Sequence, residues 1–491
     1  MTRHKAFFIV LIIFFVSVLL RLPNINRPVS KHHEFITALI LINIESWRQG
    51  GGGDKFHYIP VMNFQNPGDK DFSKDVYLDS KGDRWYLSLG PGWYILPYFI
   101  YELFHLPTDP IYLRALNLLF NLLSVILFFY FCERLLSATI SNRYRLIVAS
   151  CFLFIFTPGT LWYFGNGYVH NVIMLPFLIA ALILLFDMFM SAEKIKFFRL
   201  FSLGLLIILL MYFDWFIFFA SFFSVVLCVG KIKNDKKYIW LGVTIIAAAT
   251  IAVILIFLQF ASYDGADAVI GYWKDRFLFR SITNEKVSFF RMIIHLSFHS
   301  ITAFFPLLAL LVISLLWSKF KKININFSKN EILFFILFVG AALLYNLVLL
   351  EWSYEHEFSI LPWSILFAYL GARLCMPLLT KKNIYPVAGI FFLATITQYY
   401  FINRPGKISR DGMPYDTFKL FGEQLKQVPP DYKIFSPLEK PAAMIDYYAG
   451  RTITIQPTYE EARKNMQETG ISKAVWVEQN DYRFKKIIII Q

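Results

Sequence analysis

Charged side chains are scarce in this sequence: Asp, Glu, Lys and Arg make up 17% of its 491 residues. That is too little polar surface to solvate a particle of 57.4 kDa. In their place, 57% of the residues are Ala, Val, Ile, Leu, Met, Phe, Trp, Tyr or Cys, against roughly 45–50% in a soluble domain, and the mean hydropathy is +0.52. A water-soluble globule is excluded and a multi-span membrane protein is expected. Cysteine is nearly absent. Cys132, Cys151, Cys228 and Cys375 lie in or at the ends of apolar runs with no CxxC spacing, which leaves no basis for a disulfide framework or a zinc module. Acidic residues are outnumbered, 34 against 48 Lys plus Arg, for a formal charge of +14. In a soluble chain that excess would point to nucleic acid. In a membrane chain the preference of basic residues for cytoplasmic loops accounts for it, and no nucleic-acid partner is expected. Internal repeats are lacking too, and the tract Gly50 to Gly53 has no GK[ST] ending, so it reads as a flexible hinge rather than a phosphate-binding loop.

Apolar stretches near or above the roughly 17 residues that cross a bilayer fall at 6–22, 112–132, 146–162, 170–190, 198–213, 215–230, 238–260, 296–317, 331–350, 359–379 and 384–402. Eleven crossings are expected. The first follows a charged head, Met1 to Lys5, and no small-x-small cleavage site comes after it, the pattern of an uncleaved signal anchor. A shorter apolar stretch, 92–105, begins behind Pro91 and is assigned to the outer interface, because a full crossing there would invert every later loop. With the N-terminus cytoplasmic, every inner loop is basic: Arg134, Arg143 and Arg145; Lys194, Lys196 and Arg199; Lys231, Lys233, Lys236 and Lys237; Lys319, Lys321, Lys322 and Lys329; Lys381 and Lys382. Outer loops are balanced or acidic. Residues 23–90 hold eight basic and eight acidic groups, 262–286 four of each, and 351–357 three acids without Lys or Arg. That contrast sets the expected orientation.

Beyond residue 402 the composition turns polar. Helix-like runs at 415–427, 442–449 and 459–469 alternate with strand-like runs at 433–435, 452–455 and 474–477, the pattern of a small α/β domain with a parallel sheet. The expected organisation is an α-helical polytopic membrane domain over 1–402, including the first outer loop 23–111, and a soluble extracytoplasmic α/β domain over 403–491.

Sorted by this topology, the unusual polar residues gather at the outer face: Lys31, His32, His33 and Glu34 after the first span, His170 and Asn171 at the start of the fourth, Asp214 between the fifth and sixth, and Glu351 to Glu357 after the ninth. Ionisable groups at span ends are commonly interfacial anchors; their convergence on one face favours a site. Glu34 precedes an amphipathic run, 35–47. It suits a general base, or a helix-start acid with Ser30 near enough to cap the run. Adjacent His32 and His33 point about 100° apart on a helix, so they make a poor metal pair without further ligands. Glu351, Glu355 and Glu357 around His356 exceed what an interfacial belt needs. They are suited to raising that histidine's pKa, holding a divalent cation or orienting a hydroxyl. Trp85, Tyr86, Trp93, Tyr94, Trp162, Tyr163, Tyr168, Tyr272 and Trp273 fit the interfacial belt, and their rings also suit sugar faces.

Taken in order, these pieces resemble the GT-C superfamily of polyprenyl-phosphate-sugar glycosyltransferases, which includes protein O-mannosyltransferases and lipid A aminoarabinose transferases. Leu20-Arg21-Leu22, Glu34 and the following helix are similar to that family's first span, acidic motif and juxtamembrane helix. The run Tyr86-Leu87-Ser88-Leu89-Gly90-Pro91-Gly92-Trp93-Tyr94 resembles its proline-containing entry to an outer helix, and Tyr112-Leu113-Arg114-Ala115-Leu116-Asn117 the start of its next span. Asp214-Trp215 and Glu355-His356-Glu357-Phe358 sit where the family often has such residues. The family commonly has an Asp-Glu pair at the place of His33-Glu34 and a His-Pro-Pro run at the place of Gly90-Pro91-Gly92. The resemblance implies an inverting transfer from a polyprenyl-phosphate-linked sugar, reached from membrane lipid, to an extracytoplasmic glycan, lipid or protein. The expected setting is a bacterial inner membrane. Glu34 with His33 is the expected catalytic pair. Lys31, His32, Arg84, Tyr94, His170, Asp214, Arg276, Glu355, His356 and Glu357 are the expected substrate-binding residues, with Lys274 and Arg280 as further cations on that face. The resemblance assigns no definite cofactor, and a divalent metal is compatible. The competing reading is a multi-span transporter or lipid flippase; against it stand the lack of paired broken helices in matching halves and the few charges at mid-membrane depth. A scaffold that only displays its C-terminal domain would leave the outer acids and histidines unexplained.

Overall fold

The computed structural model describes the chain except residues 31–32, 73–77, 138–139, 141, 192, 234, 282–286, 380–381, 402–413, 439–442, 481 and 491. Its helices in the first half are α1 (Arg3–Arg21), α2 (Glu34–Gln49), α3 (Gly92–Leu103), α4 (Pro110–Leu135), α5 (Arg143–Ile155), α6 (Pro158–Tyr163), α7 (His170–Met190), α8 (Phe197–Phe213) and α9 (Phe216–Lys231). There follow α10 (Lys237–Asp264), α11 (Ala266–Arg280), α12 (Phe289–Phe320), α13 (Lys329–Val348), α14 (Leu350–Glu355), α15 (Trp363–Cys375) and α16 (Ile384–Phe401). The C-terminal segment adds α17 (Thr417–Leu425), α18 (Ala443–Ala449) and α19 (Tyr459–Thr469), with strands β1 (Lys433–Ser436), β2 (Ile453–Ile455), β3 (Ala474–Asn480) and β4 (Arg483–Ile490). The chain divides into two compact units. One comprises Met1–Ile25, Ala115–Leu255 and Arg276–Asn403; the other comprises Asn26–Arg114, Ile256–Asp275 and Arg404–Gln491.

In the first unit the helices are apolar and long. Among the described residues, six reach the length and composition of a membrane span: Arg3–Asn24, Pro110–Leu135, His170–Met190, Lys237–Tyr263, Phe289–Phe320 and Lys329–Val348. The other five expected crossings form shorter or divided helices. The helices α8 and α9 have 17 and 16 residues, Trp363–Leu378 is short, and α16 has 18. The stretch 146–162 is not one helix. Pro158 brings no N–H and drives the residue before it out of helical space. Thr157 is accordingly extended (φ −102°, ψ 146°), and its hydroxyl caps α6 by accepting from Thr160 N. Burial ranks the helices: 72% of the most apolar window of α7 is buried against 28% for α1. So α7 is an inner helix, while most of α1 presents Phe8, Phe15 and Leu19 outward, as lipid-facing surface does. A capping box at Ser328 and Glu331 starts α13. The same Glu331 accepts from Tyr369 Oη at 2.7 Å and Arg373 Nε at 2.7 Å, fastening α13 to α15.

The second unit contains most of the segment expected as the first outer loop, and the C-terminal segment. Polar residues on α2 hold the loop's backbone: Asn43 Oδ1 accepts from Val61 N at 2.8 Å, Ser46 Oγ donates to Asn63 O at 2.7 Å, and Trp47 Nε1 donates to Ile59 O at 3.1 Å. The Gly50 to Gly53 tract is a packed turn, not the flexible hinge expected. Gly51 and Gly52 take φ of +91° and +124°, and a Cβ on Gly53 would meet the Tyr58 ring at 2.8 Å and Trp47 at 3.1 Å. Helix α3, with its 12 residues, spans about 18 Å at 1.5 Å per residue, too short to cross a bilayer. In the C-terminal segment the sheet order is β2-β1-β3-β4, with β1 parallel to β2 and β3 and with β4 antiparallel to β3. The three expected strands are present. The fourth, whose Ile487 to Ile490 run is a β-branched signal, is an addition to them. Phe421, Leu425, Ile434, Ile445 and Val475 form one core and Phe435, Ala462, Met466 and Trp476 another. Arg451 ties the segment to the loop through Asp69 at 3.0 Å. Ala443 of α18 packs with Ala38 and Ile42 of α2 and with Phe64.

Candidate active site

Glu34 is the first residue of α2, and His33 before it is forced into left-handed space at φ 62° with no side-chain cap. The expected Ser30 cap is reversed: Ser30 N donates to Glu34 Oε2 at 2.9 Å, while the Ser30 hydroxyl turns to Pro28 O. Arg27 meets the carboxylate with both terminal nitrogens, Nη1 to Oε2 at 2.7 Å and Nη2 to Oε1. Arg114, at the start of α4, adds Nη2 to Oε1 at 3.3 Å and anchors itself through Nη1 to Arg27 O at 2.7 Å. Glu34 and Arg114 are fully buried. Burial alone would raise the Glu34 carboxyl, but Arg27 and Arg114 outweigh it and hold it below the ordinary carboxylate range. With two guanidiniums on it, the Glu34 carboxylate is engaged by the fold's own cations, and the divalent metal held compatible with the sequence has no described donor set there. Among the described residues, no three His, Cys, Asp or Glu side chains converge as a metal would require.

Other expected residues of this unit are differently placed. Lys31 and His32 lie outside the described residues. The His33 ring is buried and packs near Phe35. Tyr94 is fully buried against Trp93, with ring centroids 4.3 Å apart, and its hydroxyl reaches Met62 Sδ at 3.7 Å. Arg84 is half exposed and lies 3.5 Å from Asp71.

The first unit gathers a second polar set. His170 Nε2 lies 2.9 Å from Asp214 Oδ2 with both side chains fully buried. Asp214 also accepts from Asn171 Nδ2 at 3.0 Å and from Phe216 N at 2.7 Å, and Tyr345 Oη is 3.5 Å away. One carboxylate thus joins α7, the α8–α9 junction and α13. The His170 ring neighbours Trp352 and Phe358, and His356 stacks on Trp352 with centroids 3.8 Å apart and planes 20° apart. The three carboxylates differ in burial. Glu351 pairs with Arg280 at 3.0 Å, and burial still pushes its carboxyl above the ordinary range against that arginine. Glu355 is exposed, Glu357 is buried, and Arg276 is half-buried.

Composition did not single out Arg27 and Arg114 as partners of Glu34. The available signal was Arg114 itself, an arginine entering an apolar span, where an ionisable group is by default functional. Arg27 lies only seven residues before Glu34.

No family profile and no curated protein sequence matches the chain. Solved structures do. ArnT from Cupriavidus metallidurans, bound to undecaprenyl phosphate, superposes with a TM-score of 0.62 at 10% identity, over 98% of this chain and 97% of that one. The oligosaccharyltransferase AglB from Archaeoglobus fulgidus, in complex with an inhibitory peptide and a dolichol-phosphate, gives 0.55 at 12% identity over 97% of this chain and 69% of that one. The apo form of the Archaeoglobus fulgidus oligosaccharyltransferase gives 0.56 at 11% identity, over 96% of this chain and 70% of that one. Across nearly its whole length, the chain shares the fold of these proteins.

Proposed function

We propose that the chain is a membrane glycosyltransferase that moves a sugar from a polyprenyl phosphate to an acceptor hydroxyl on the extracytoplasmic side, with inversion at the anomeric carbon. One observation carries the reading: a fold met in structures holding dolichol-phosphate and undecaprenyl phosphate places a buried, ionised carboxylate, Glu34, at the start of α2. In the reaction the acceptor oxygen attacks the anomeric carbon. The bond from that carbon to the phosphate oxygen breaks, its electron pair stays on the phosphate, and the acceptor's proton passes to a base. Glu34 is assigned as that base. Its arginines keep it in the deprotonated state a base needs, and they lower its proton affinity, so the acceptor has to take the place of a guanidinium. Among the described contacts the 3.3 Å one from Arg114 is the longest and the first to yield.

The N-terminus and the basic loops are assigned to the cytoplasm, the C-terminal sheet to the outside, and a glycan, lipid or protein hydroxyl is the acceptor. The test is transfer by the purified chain in lipid nanodiscs, supplied with polyprenyl-phosphate-linked sugars and scored by release of polyprenyl phosphate. Wild type should turn over. Glu34→Gln should lower kcat by roughly 10²–10⁴-fold at a temperature where its helical circular dichroism is intact. Wild-type kcat in a folded Glu34→Gln variant would remove the base assignment, and no turnover of any such donor by wild type would sink the function.

A further inference from the structure

The first half of α1 stands apart from α16, and the gap between them is a cleft of about 850 Å³ within the first unit. Its origin lies in how the two helices are tied. At the end of α1 they are joined, with Tyr400 Oη donating to Leu20 O at 3.3 Å. At its start α1 leans on α4 instead: Arg3 meets Glu133 through Nε at 2.9 Å and Nη2 at 3.0 Å, and Phe7 packs on Phe129 with ring centroids 5.4 Å apart. Ile9 and Ile13 of α1, Val148 and Ala149 of α5, Ala372 of α15 and Ala388 of α16 line the space left between. Deeper in, ring contacts of Phe152 with Phe391 and of Phe156 with Phe392, at 5.7 and 5.0 Å, bring α5 and α16 together. The mouth is different. Asn142 and Arg145 sit there, both exposed. Among the described residues Arg145 makes no ion pair, and no acid lines the cleft.

A void of this size does not stay empty in a bilayer, because its lining atoms would forfeit their dispersion contacts. Apolar walls give water too few partners, so hydrocarbon fills it. The cleft follows α1 from its start to Ile13, about 15 Å at 1.5 Å per residue, or half of a roughly 30 Å hydrocarbon core. A chain anchored at one bilayer surface and ending near the midplane is the acyl chain of a phospholipid. We infer that the cleft holds an anionic glycerophospholipid of the leaflet in which α1 starts, with its acyl chains between α1 and α16 and its phosphate on Arg145. The walls do not choose among lipids, since acyl chains are as apolar as the side chains they meet. Choice rests with the headgroup. A guanidinium matches two phosphate oxygens, and an unopposed cation favours a lipid of net negative charge over a zwitterion. In the proposed orientation this is the cytoplasmic leaflet, where basic pockets between spans hold anionic headgroups. A donor for extracytoplasmic transfer presents its phosphate at the opposite surface. The cleft is therefore a second lipid site, and it stands on the same groups whether or not transfer occurs.

The test is native mass spectrometry of the full chain in mild detergent, titrated with dioleoyl phosphatidylglycerol, dioleoyl phosphatidylcholine or undecaprenyl phosphate, with melting temperatures measured alongside. Wild type should prefer phosphatidylglycerol over phosphatidylcholine by roughly fivefold, the worth of one cation beside an anionic headgroup, and should melt higher in its presence. Arg145→Gln should fold, since the side chain is exposed, and should bring that preference close to unity. Arg145→Lys should keep most of it. Ala388→Trp, whose indole fills the cleft, should lose both phospholipids and the rise in melting temperature that phosphatidylglycerol brings. Equal affinities in wild type, or an unchanged preference in Arg145→Gln, would overturn the inference. So would retention of phosphatidylglycerol by folded Ala388→Trp. Tighter uptake of undecaprenyl phosphate that is lost in Arg145→Gln would give the cleft to the transfer donor and overturn it as well. If Ala388→Trp does not fold, the two Arg145 variants decide alone. None of these outcomes depends on sugar transfer, so the transferase reading stands or falls separately.

Discussion

Two arginines on one carboxylate make Glu34 a group whose charge supports the fold as well as any chemistry. Its folded pKa is depressed by Arg27 and Arg114. The resulting stability is complete above the unfolded value of about 4.3 and is lost as pH falls through the lower folded value. Wild-type melting temperature should therefore drop on acidification below about pH 4.3, and Glu34→Gln should lack that component. At neutral pH the same variant removes the counter-charge that the two buried guanidiniums share and should lose roughly 3–5 kcal/mol. Parallel melting curves for the two proteins across pH would refute the depressed value. His356 offers the opposite case. It lies on Trp352 as one ring on another, so His356→Ala should cost about 0.5–1.5 kcal/mol of thermal stability, and an unchanged melting temperature would mean the stack contributes nothing. Of the site residues, Glu34 and its helix start were legible from sequence, because a polar cluster directly behind an apolar span is a local feature. Its guanidinium partners were not, since nothing near Glu34 in sequence indicates Arg114 eighty residues away.

Between elements, single polar side chains act as joints. Asp214 accepts from Asn171 of α7 and from the first amide of α9, and its Oδ2 lies 2.9 Å from His170 Nε2. Asp214→Ala should leave those donors buried without an acceptor, at roughly 1–3 kcal/mol each. Asp214→Asn keeps an oxygen for Phe216 N and should cost less. Thermal unfolding of both variants checks this, and equal stability of Asp214→Ala and wild type would mean the joint contributes nothing. Helix breaks were partly visible: Pro158 announces the division of 146–162, which apolar length alone merges into one span. The glycine tract shows how composition misleads. Four glycines suggest slack, but their positions answer to positive φ and to the rings of Trp47 and Tyr58.

For the whole molecule, the proposed orientation makes a direct prediction. A reporter active only outside the cytoplasm should be active when fused behind Gln491 and silent when fused behind Asp235. Activity behind Asp235 would place the basic loops outside and overturn the assigned acceptor side. The sequence by itself determined that this is a polytopic membrane chain with a C-terminal sheet built on parallel strands, because apolar run length and strand–helix alternation are local properties that packing does not rewrite. Tertiary structure alone decided which charges meet: Arg27 and Arg114 on Glu34, His170 beside Asp214, Arg280 on Glu351, and Arg21 with only neutral partners among the described residues. In an apolar interior each charge is settled by the few atoms that reach it, and those atoms come from helices far apart in sequence, so no local pattern can name them.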